Sequence, residues 1–221
     1  MKVYIVICLL LSVFILNAQS NSIPVNTYKG TDAGKPLIFY ISGDGGWNSF
    51  STSLATALNK EGYSVISLNS KSYFWSRKTP QQAANDIAAL LNQYMKSWNN
   101  KSFVLIGYSF GADVTPFIQN KLPQNLTDAL KHTLLMSASK TTDFEVHVLG
   151  MIGVSSSNGQ DVPSEINKIT KPVTLLFGSD EKDFPIQRIN NKNCITIRLA
   201  GGHHYDGNIN ELVKTITYQI K

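Results

Sequence analysis

Short, predominantly apolar runs separated by helix-like segments constrain the fold of this chain more than any other feature. The runs are Leu37–Ser42, Tyr63–Leu68, Phe103–Ile106, Leu134–Ser137, Val173–Phe177 and Cys194–Leu199. Strands that are apolar along their whole length are typical of a parallel sheet whose two faces are both covered by helices. The pattern therefore predicts an α/β fold.

Three segments between these runs carry apolar residues at helical spacing. They are Phe50–Lys60, Pro80–Trp98 and Asn208–Ile220. Of the 221 residues, 43% are hydrophobic and 16% are charged, a balance that excludes an intrinsically disordered chain. Neither repeats nor low-complexity tracts divide the sequence, so we expect one domain over residues 20–221.

The first twenty residues differ from the rest. Lys2 precedes a run of 14 residues, Val3–Leu16, that is apolar except for Ser12, and Ala18 comes shortly after. This run is short for a membrane span of about 20 residues. The pattern predicts a secretory signal peptide over residues 1–19 and export to the periplasm, with retention as an N-terminal membrane anchor as the alternative.

Charge and cysteine content narrow the partners. The formal net charge is +5, but the longest basic run is Arg77-Lys78, so we expect no nucleic-acid binding and at most weak attraction to an anionic membrane surface. Cys194 is the single cysteine after export and lies in a strand-like run, which favours a core thiol over a nucleophile. No ligand spacing suggests a metal, and we expect no cofactor.

The most informative motif is G-x-S-x-G, formed by Gly107, Ser109 and Gly111. It directly follows the strand Phe103–Ile106 and directly precedes a helical pattern from Ala112. In this context the motif holds a serine in a tight strand-to-helix turn, with its hydroxyl exposed above the sheet. We expect Ser109 to be a catalytic nucleophile.

A serine nucleophile needs a general base and an orienting carboxylate, which should occur in the order Ser, acid, His. Val173–Phe177 runs into an acidic loop in which Asp183 is the first choice and Asp180 the second, with Glu181 also close to the strand end. The strand Cys194–Leu199 runs into Gly201-Gly202-His203-His204. His203 is preferred as the base, and His204 is the alternate.

Glycines after the first strand predict an oxyanion loop. The loop is Gly43-Asp44-Gly45-Gly46-Trp47. We expect a backbone N–H of Asp44 or Gly45 and the N–H of Phe110, just after the serine, to donate together to the oxyanion. Trp47, Asp113 and Asp206 are candidate substrate-binding residues, because carboxylates near the nucleophile suit a cationic amine.

Four motifs together resemble one family. Ser42–Trp47, Gly107–Val114, Phe144–Val148 and Gly201–Gly207 look like the VirJ/AcvB family of exported bacterial proteins, over most of the chain from Pro36. The resemblance implies an α/β-hydrolase fold and a periplasmic virulence factor. It also implies that Ser109, His203 and an acid in the loop 180–183 are the matching catalytic positions.

The same resemblance implies two kinds of function. AcvB-type members are associated with hydrolysis of lysyl-phosphatidylglycerol, and VirJ with substrates of type IV secretion. We therefore expect an exported serine hydrolase that cleaves a small-molecule or lipid ester, such as an aminoacyl-phospholipid. The alternative is a binding module that escorts secreted proteins.

Overall fold

The computed structural model describes residues 22–146 and 159–221. The signal peptide predicted over residues 1–19 lies outside the described residues, as do His147 and Val148 of the third family motif.

A seven-stranded sheet forms the centre of the described part of the chain. Its strands are β1 (Val25–Tyr28), β2 (Leu37–Ile41), β3 (Val65–Leu68), β4 (Phe103–Tyr108), β5 (Leu130–Met136), β8 (Val173–Gly178) and β9 (Cys194–Leu199). They lie in the order β1-β3-β2-β4-β5-β8-β9. Six of these strands are parallel, and β1 pairs antiparallel with β3 at one edge. A separate two-stranded ladder joins β6 (Thr141–Thr142) to β7 (Gln160–Asp161).

Helices cover both faces of the sheet. They are α1 (Ser49–Lys60), α2 (Ser70–Tyr73), α3 (Pro80–Trp98), α4 (Phe110–Gln119), α5 (Gln124–Ala129), α6 (Val162–Ile166) and α7 (Ile209–Gln219). The larger core layer packs α3, α4 and α6 on one face, and the other layer packs α1 and α7 on the opposite face. The predicted α/β class with a mostly parallel sheet is confirmed.

The degree of burial of each strand explains whether the sequence predicted it. Every residue of β2, β3, β4 and β8 is buried, as their apolar sequences predict. The partly polar edge strand β1 was not predicted, since Val-Asn-Thr-Tyr carries little of this signal. At the other edge, β9 leaves Ile195 48% exposed, while Cys194 packs against the core and burial raises the pKa of its thiol to about 11.

The carboxyl ends of the parallel strands meet at one edge of the sheet. A serine comes directly after β2, β4, β5 and β8, and each serine N–H bonds to the next strand. The bonds are Ser42 N to Leu68 O (3.2 Å), Ser109 N to Met136 O (2.8 Å), Ser137 N to Leu176 O (2.8 Å) and Ser179 N to Leu199 O (2.7 Å). Binding sites in open α/β sheets lie at this edge, outside the carboxyl ends of the strands.

Candidate active site

Ser109 lies in the sharp turn between β4 and α4. Its backbone adopts φ 53° and ψ −123°, a conformation that non-glycine residues rarely adopt and that is found mostly at functional sites. Flanking glycines make the turn possible: a Cβ on Gly111 would lie 2.6 Å from the Ser42 carbonyl oxygen, and one on Gly107 would lie 2.6 Å from Thr115 Oγ1. Helix α4 thus packs closely on β2 and its N-terminus lies behind the serine, where the helix dipole favours negative charge.

His203 connects the serine to a carboxylate. Its Nε2 lies 2.8 Å from Ser109 Oγ, and its Nδ1 lies 2.9 Å from Glu181 Oε1. The three side chains come from the ends of three strands, β4, β8 and β9. This is the geometry of a nucleophile, a base and an orienting carboxylate.

Glu181 is held as a carboxylate by three donors. His203 approaches Oε1, while Gly178 N–H (2.7 Å) and Ser137 O–H (2.8 Å) donate to Oε2. Burial would raise the pKa of Glu181, but these hydrogen bonds and the charge of His203 outweigh burial and hold the pKa below its usual range. The side chain is therefore ionised near neutral pH, as an orienting carboxylate must be.

The structure corrects the choice of acid made from the sequence. Asp183 is exposed and takes part in no hydrogen bond or ion pair between described residues, and Asp180 accepts from Ser179 Oγ at 3.0 Å. The tight turn after Gly178, closed by Glu181 N–H to Gly178 O (3.2 Å), brings Glu181 back over the strand end and leaves its neighbours facing solvent. A carboxylate three residues after the strand is thus better placed than one five residues after it.

The adjacent histidines have different surroundings. Tyr108 O–H donates to the backbone carbonyl of His203 at 3.2 Å, and the Tyr108 ring lies 5.4 Å from the His203 ring. His204 instead places its ring edge-on to Phe50, with 5.5 Å between ring centroids. The structure therefore brings His203, and not His204, to the serine.

The glycine loop after β2 lies against the nucleophile. A Cβ on Gly43 would be 3.3 Å from Ser109 Cβ, which is tighter than side chains normally pack. A turn comes next, closed by Gly46 N–H to Gly43 O (2.9 Å), with Gly46 at φ 66°. Among the described residues, the backbone N–H groups of Asp44 and Gly45 have no acceptor, which leaves them free to bind a ligand.

The three carboxylates near the nucleophile have different environments. Asp113 is 5% exposed and accepts the Ser139 N–H at 2.5 Å, so it is a buried structural contact, not a surface for substrate. Asp206 packs against Gly201, where a Cβ would collide with the Asp206 carboxylate, so the missing side chain leaves room for it. Asp44 is half-buried, and its carboxylate makes no hydrogen bond or ion pair between described residues.

Aromatic rings connect Phe110, the residue after the serine, to the core. The Phe110 ring packs edge-on against Phe74 (5.2 Å), which packs against Phe144 (6.0 Å). Trp47 is half-buried, and its indole Nε1–H is buried without an acceptor among the described residues. Phe74 and Phe144 are fully buried, so of the three phenylalanine rings only the half-buried Phe110 reaches the surface next to Ser109.

None of the helices in residues 22–146 and 159–221 is long and apolar enough to cross a membrane. Within the same residues, no group of three or more His, Cys, Asp or Glu side chains is arranged to hold a metal ion.

The sheet order, the helices on both faces and the strand-end triad define the α/β-hydrolase fold. The chain belongs to the VirJ family, since the family model described as "Bacterial virulence protein (VirJ)" matches residues 36–221. No curated protein matches the sequence.

Solved structures share the fold at low sequence identity. Est1E from Butyrivibrio proteoclasticus is 16% identical, with a TM-score of 0.61 over 88% of this chain and 90% of that one. A lipase-esterase related protein from Clostridium acetobutylicum is 16% identical, with a TM-score of 0.62 over 88% and 98%. The Pyrococcus furiosus esterase Pf2001 is 14% identical, with a TM-score of 0.62 over 89% of each chain.

Proposed function

We propose that this protein is an exported serine esterase in which Ser109 is the nucleophile, His203 the general base and Glu181 the orienting carboxylate. The observation that carries the proposal is the continuous contact from Ser109 Oγ through both His203 ring nitrogens to Glu181 Oε1, at 2.8 and 2.9 Å. Structural packing alone gives no reason to place an ionised carboxylate, an imidazole and a serine with a strained backbone in line.

The reaction divides ester cleavage into two steps. Ser109 Oγ attacks the ester carbonyl carbon while its proton moves to His203 Nε2, and the resulting imidazolium is stabilised by Glu181. His203 then returns the proton to the leaving alcohol as the C–O bond breaks. Water, deprotonated by His203, cleaves the Ser109 acyl ester and releases the acid.

The developing oxyanion needs donors fixed in advance. The Phe110 N–H is at the first position of α4, where it has no acceptor within the helix. Together with the free N–H of Asp44 or Gly45 it would supply two donors beside Ser109, and a site of this kind stabilises the transition state.

For the substrate we propose an aminoacyl ester of a phospholipid, such as lysyl-phosphatidylglycerol. Its ammonium group lies close to the scissile ester, and the unpaired Asp44 carboxylate lies in the loop against Ser109. The net charge of +5, which includes Lys2 of the predicted signal peptide, supports weak attraction to an anionic membrane surface. The half-buried Phe110, next to Ser109 in the chain, offers an apolar group to a lipid chain.

The test compares hydrolysis of lysyl-phosphatidylglycerol in vesicles with hydrolysis of p-nitrophenyl acetate. We expect wild type to cleave both and Ser109→Ala to cleave neither, with unchanged thermal unfolding. Asp44→Asn should weaken cleavage of the lysyl lipid much more than that of the acetate, because only the lysyl lipid carries an ammonium.

Each outcome has a distinct meaning. Hydrolysis that survives in Ser109→Ala would reject the triad. Acetate cleavage without lysyl-lipid cleavage would reject the substrate alone. A folded wild type that cleaves no ester would favour the module that binds secreted proteins.

A further inference from the structure

Ser137 is a second serine at the edge of the sheet that carries the site, and the esterase mechanism gives it no role. It comes directly after β5, is 2% exposed and adopts φ 53°, the same value as Ser109. No glycine precedes or follows it in Met136-Ser137-Ala138. A strained, buried serine of this kind needs a reason in what its hydroxyl contacts.

The hydroxyl contacts the carboxylate of the triad. Ser137 Oγ lies 2.8 Å from Glu181 Oε2, the oxygen that does not contact His203. It also lies 2.8 Å from the hydroxyl of Tyr205, a residue only 1% exposed that itself has a positive φ of 51°. Tyr205 O–H is also 2.8 Å from Leu176 O.

The count of protons fixes the direction of this chain of hydrogen bonds. An ionised carboxylate only accepts, so the single Ser137 hydroxyl proton goes to Glu181 Oε2. The Ser137 oxygen must then accept at its contact with Tyr205, whose burial raises its pKa and keeps its hydroxyl protonated. The single Tyr205 hydroxyl proton is therefore shared between two acceptors at 2.8 Å, Ser137 Oγ and Leu176 O.

A glutamate needs this support more than an aspartate would. Its side chain has one more torsion, and its terminal torsion is broad and weakly restrained. Without a donor on Oε2 from the Ser137 side, Gly178 N–H alone would hold that oxygen. Rotation of the carboxylate would then move Oε1 away from His203 Nδ1.

We propose that Ser137 is a positioning residue for the triad: its hydroxyl, held by Tyr205, fixes the Glu181 carboxylate in the orientation that accepts the His203 Nδ1–H. This inference rests on the proposed function. Ser137 follows β5, the neighbour of the strand that leads to the nucleophile, and it does not touch the reacting atoms.

The test measures the rate at which a fluorophosphonate probe labels Ser109 in four forms of the chain: wild type and three Ser137 variants. Ser137→Ala removes the donor and should slow labelling by about tenfold, the effect of losing one hydrogen bond to a charged group. Ser137→Cys keeps a weak donor of similar size and should fall between the two. Ser137→Gly removes both the donor and the backbone strain, and should be as slow as Ser137→Ala.

Thr133→Val is the matched control. Thr133 lies on the same strand, and its buried hydroxyl donates to Gln119 Oε1 at 2.7 Å, away from Glu181. We expect this variant to lose stability, measured by urea unfolding, while its labelling rate stays within about twofold of wild type. The downfield proton resonance of His203 Nδ1–H should weaken or shift in Ser137→Ala and stay in place in Thr133→Val.

Several results would overturn the proposal. Labelling of folded Ser137→Ala at the wild-type rate would show that the hydroxyl is not needed, and recovery of the rate in Ser137→Gly would show that only the backbone matters. If Ser137→Ala does not fold, Ser137→Cys and Tyr205→Phe decide, and wild-type rates in both would reject the role. A folded wild type that the probe does not label would reject the proposed function and this inference together.

Discussion

Ser109 and Ser137 follow neighbouring parallel strands and share the same φ angle, but their hydroxyls contact different groups. Both have φ 53°, and both N–H groups bond to the next strand at 2.8 Å. The Ser109 hydroxyl meets His203 Nε2 in a half-buried position, while the Ser137 hydroxyl is buried beneath the carboxylate on the far side of the same histidine.

The difference lies in the segment into which each strand leads. After β4 the chain enters helix α4 at once, and the glycines around Ser109 let that turn pack against β2. After β5 the chain enters a loop anchored by Asp113, which accepts the Ser139 N–H. One strand end thus holds its hydroxyl in a half-buried position, and the other directs it to the protein interior.

The largest effect should come from removing the base on the Ser109 side. His203→Ala leaves Ser109 without a proton acceptor and should lower kcat for p-nitrophenyl acetate by a factor on the order of 10⁵ or more. His204→Ala, whose ring packs on Phe50, should change kcat by less than about tenfold, since packing rather than proton transfer is lost. Equal losses in both variants would contradict the assignment of His203.

The next largest effect should come from removing the charge of Glu181, whose carboxylate contacts both His203 and Ser137. Glu181→Gln keeps the shape but removes the charge that stabilises the imidazolium, and should lower kcat by a factor on the order of 10³ to 10⁴. Asp183→Asn is the matched variant in the same loop and should stay within about twofold. A large loss in Asp183→Asn with normal activity in Glu181→Gln would return the assignment to the aspartate.

The smallest effect concerns stability, at the contact that ties α4 to the loop after Ser137. Burial raises the pKa of Asp113 to about 7, a shift that the hydrogen bonds from Ser139 and the charge of His203 reduce and the charge of Asp44 increases. A raised carboxyl pKa means that the folded protein binds more protons than the unfolded chain between about pH 4 and pH 7. The stability that protonation of Asp113 contributes is therefore full below about pH 4 and lost as pH rises through about 7.

Asp113→Asn removes this dependence, because an amide still accepts the Ser139 N–H but does not ionise. Between about pH 4 and pH 8 the wild type should lose on the order of 4 kcal/mol of unfolding free energy relative to the variant. Urea unfolding at a series of pH values measures this difference. Parallel pH profiles for the two proteins would show that Asp113 does not titrate as described.

The sequence predicted much of this arrangement. The parts that it did not predict have physical causes. Glycines pointed to Ser109 and His203, which the structure brings into contact, because glycine is required where a chain turns sharply or approaches another backbone, as at Gly107 and Gly111 beside Ser109. The choice among three nearby carboxylates depended on one tight turn after Gly178, which leaves no mark in residue type. The sequence therefore favoured Asp183, whereas the structure places Glu181 against His203.

The sequence did not single out Ser137 for a related reason. Its strained backbone is not flanked by glycine, and its contact with Glu181 spans 44 positions along the chain. The contact forms only because the fold brings the ends of β5 and β8 and the loop after β9 together. The contact of the Tyr205 hydroxyl with Ser137 spans 68 positions, so in the sequence Tyr205 looks like an ordinary core aromatic residue.

Intact-mass analysis after treatment with a fluorophosphonate probe tests the central claim most directly, because it reports an activated serine without a known substrate. We expect one adduct on wild type, located at Ser109 by peptide mapping, absent in Ser109→Ala and formed far more slowly in Glu181→Gln. An adduct that persists in Ser109→Ala, or no adduct on folded wild type, would contradict it.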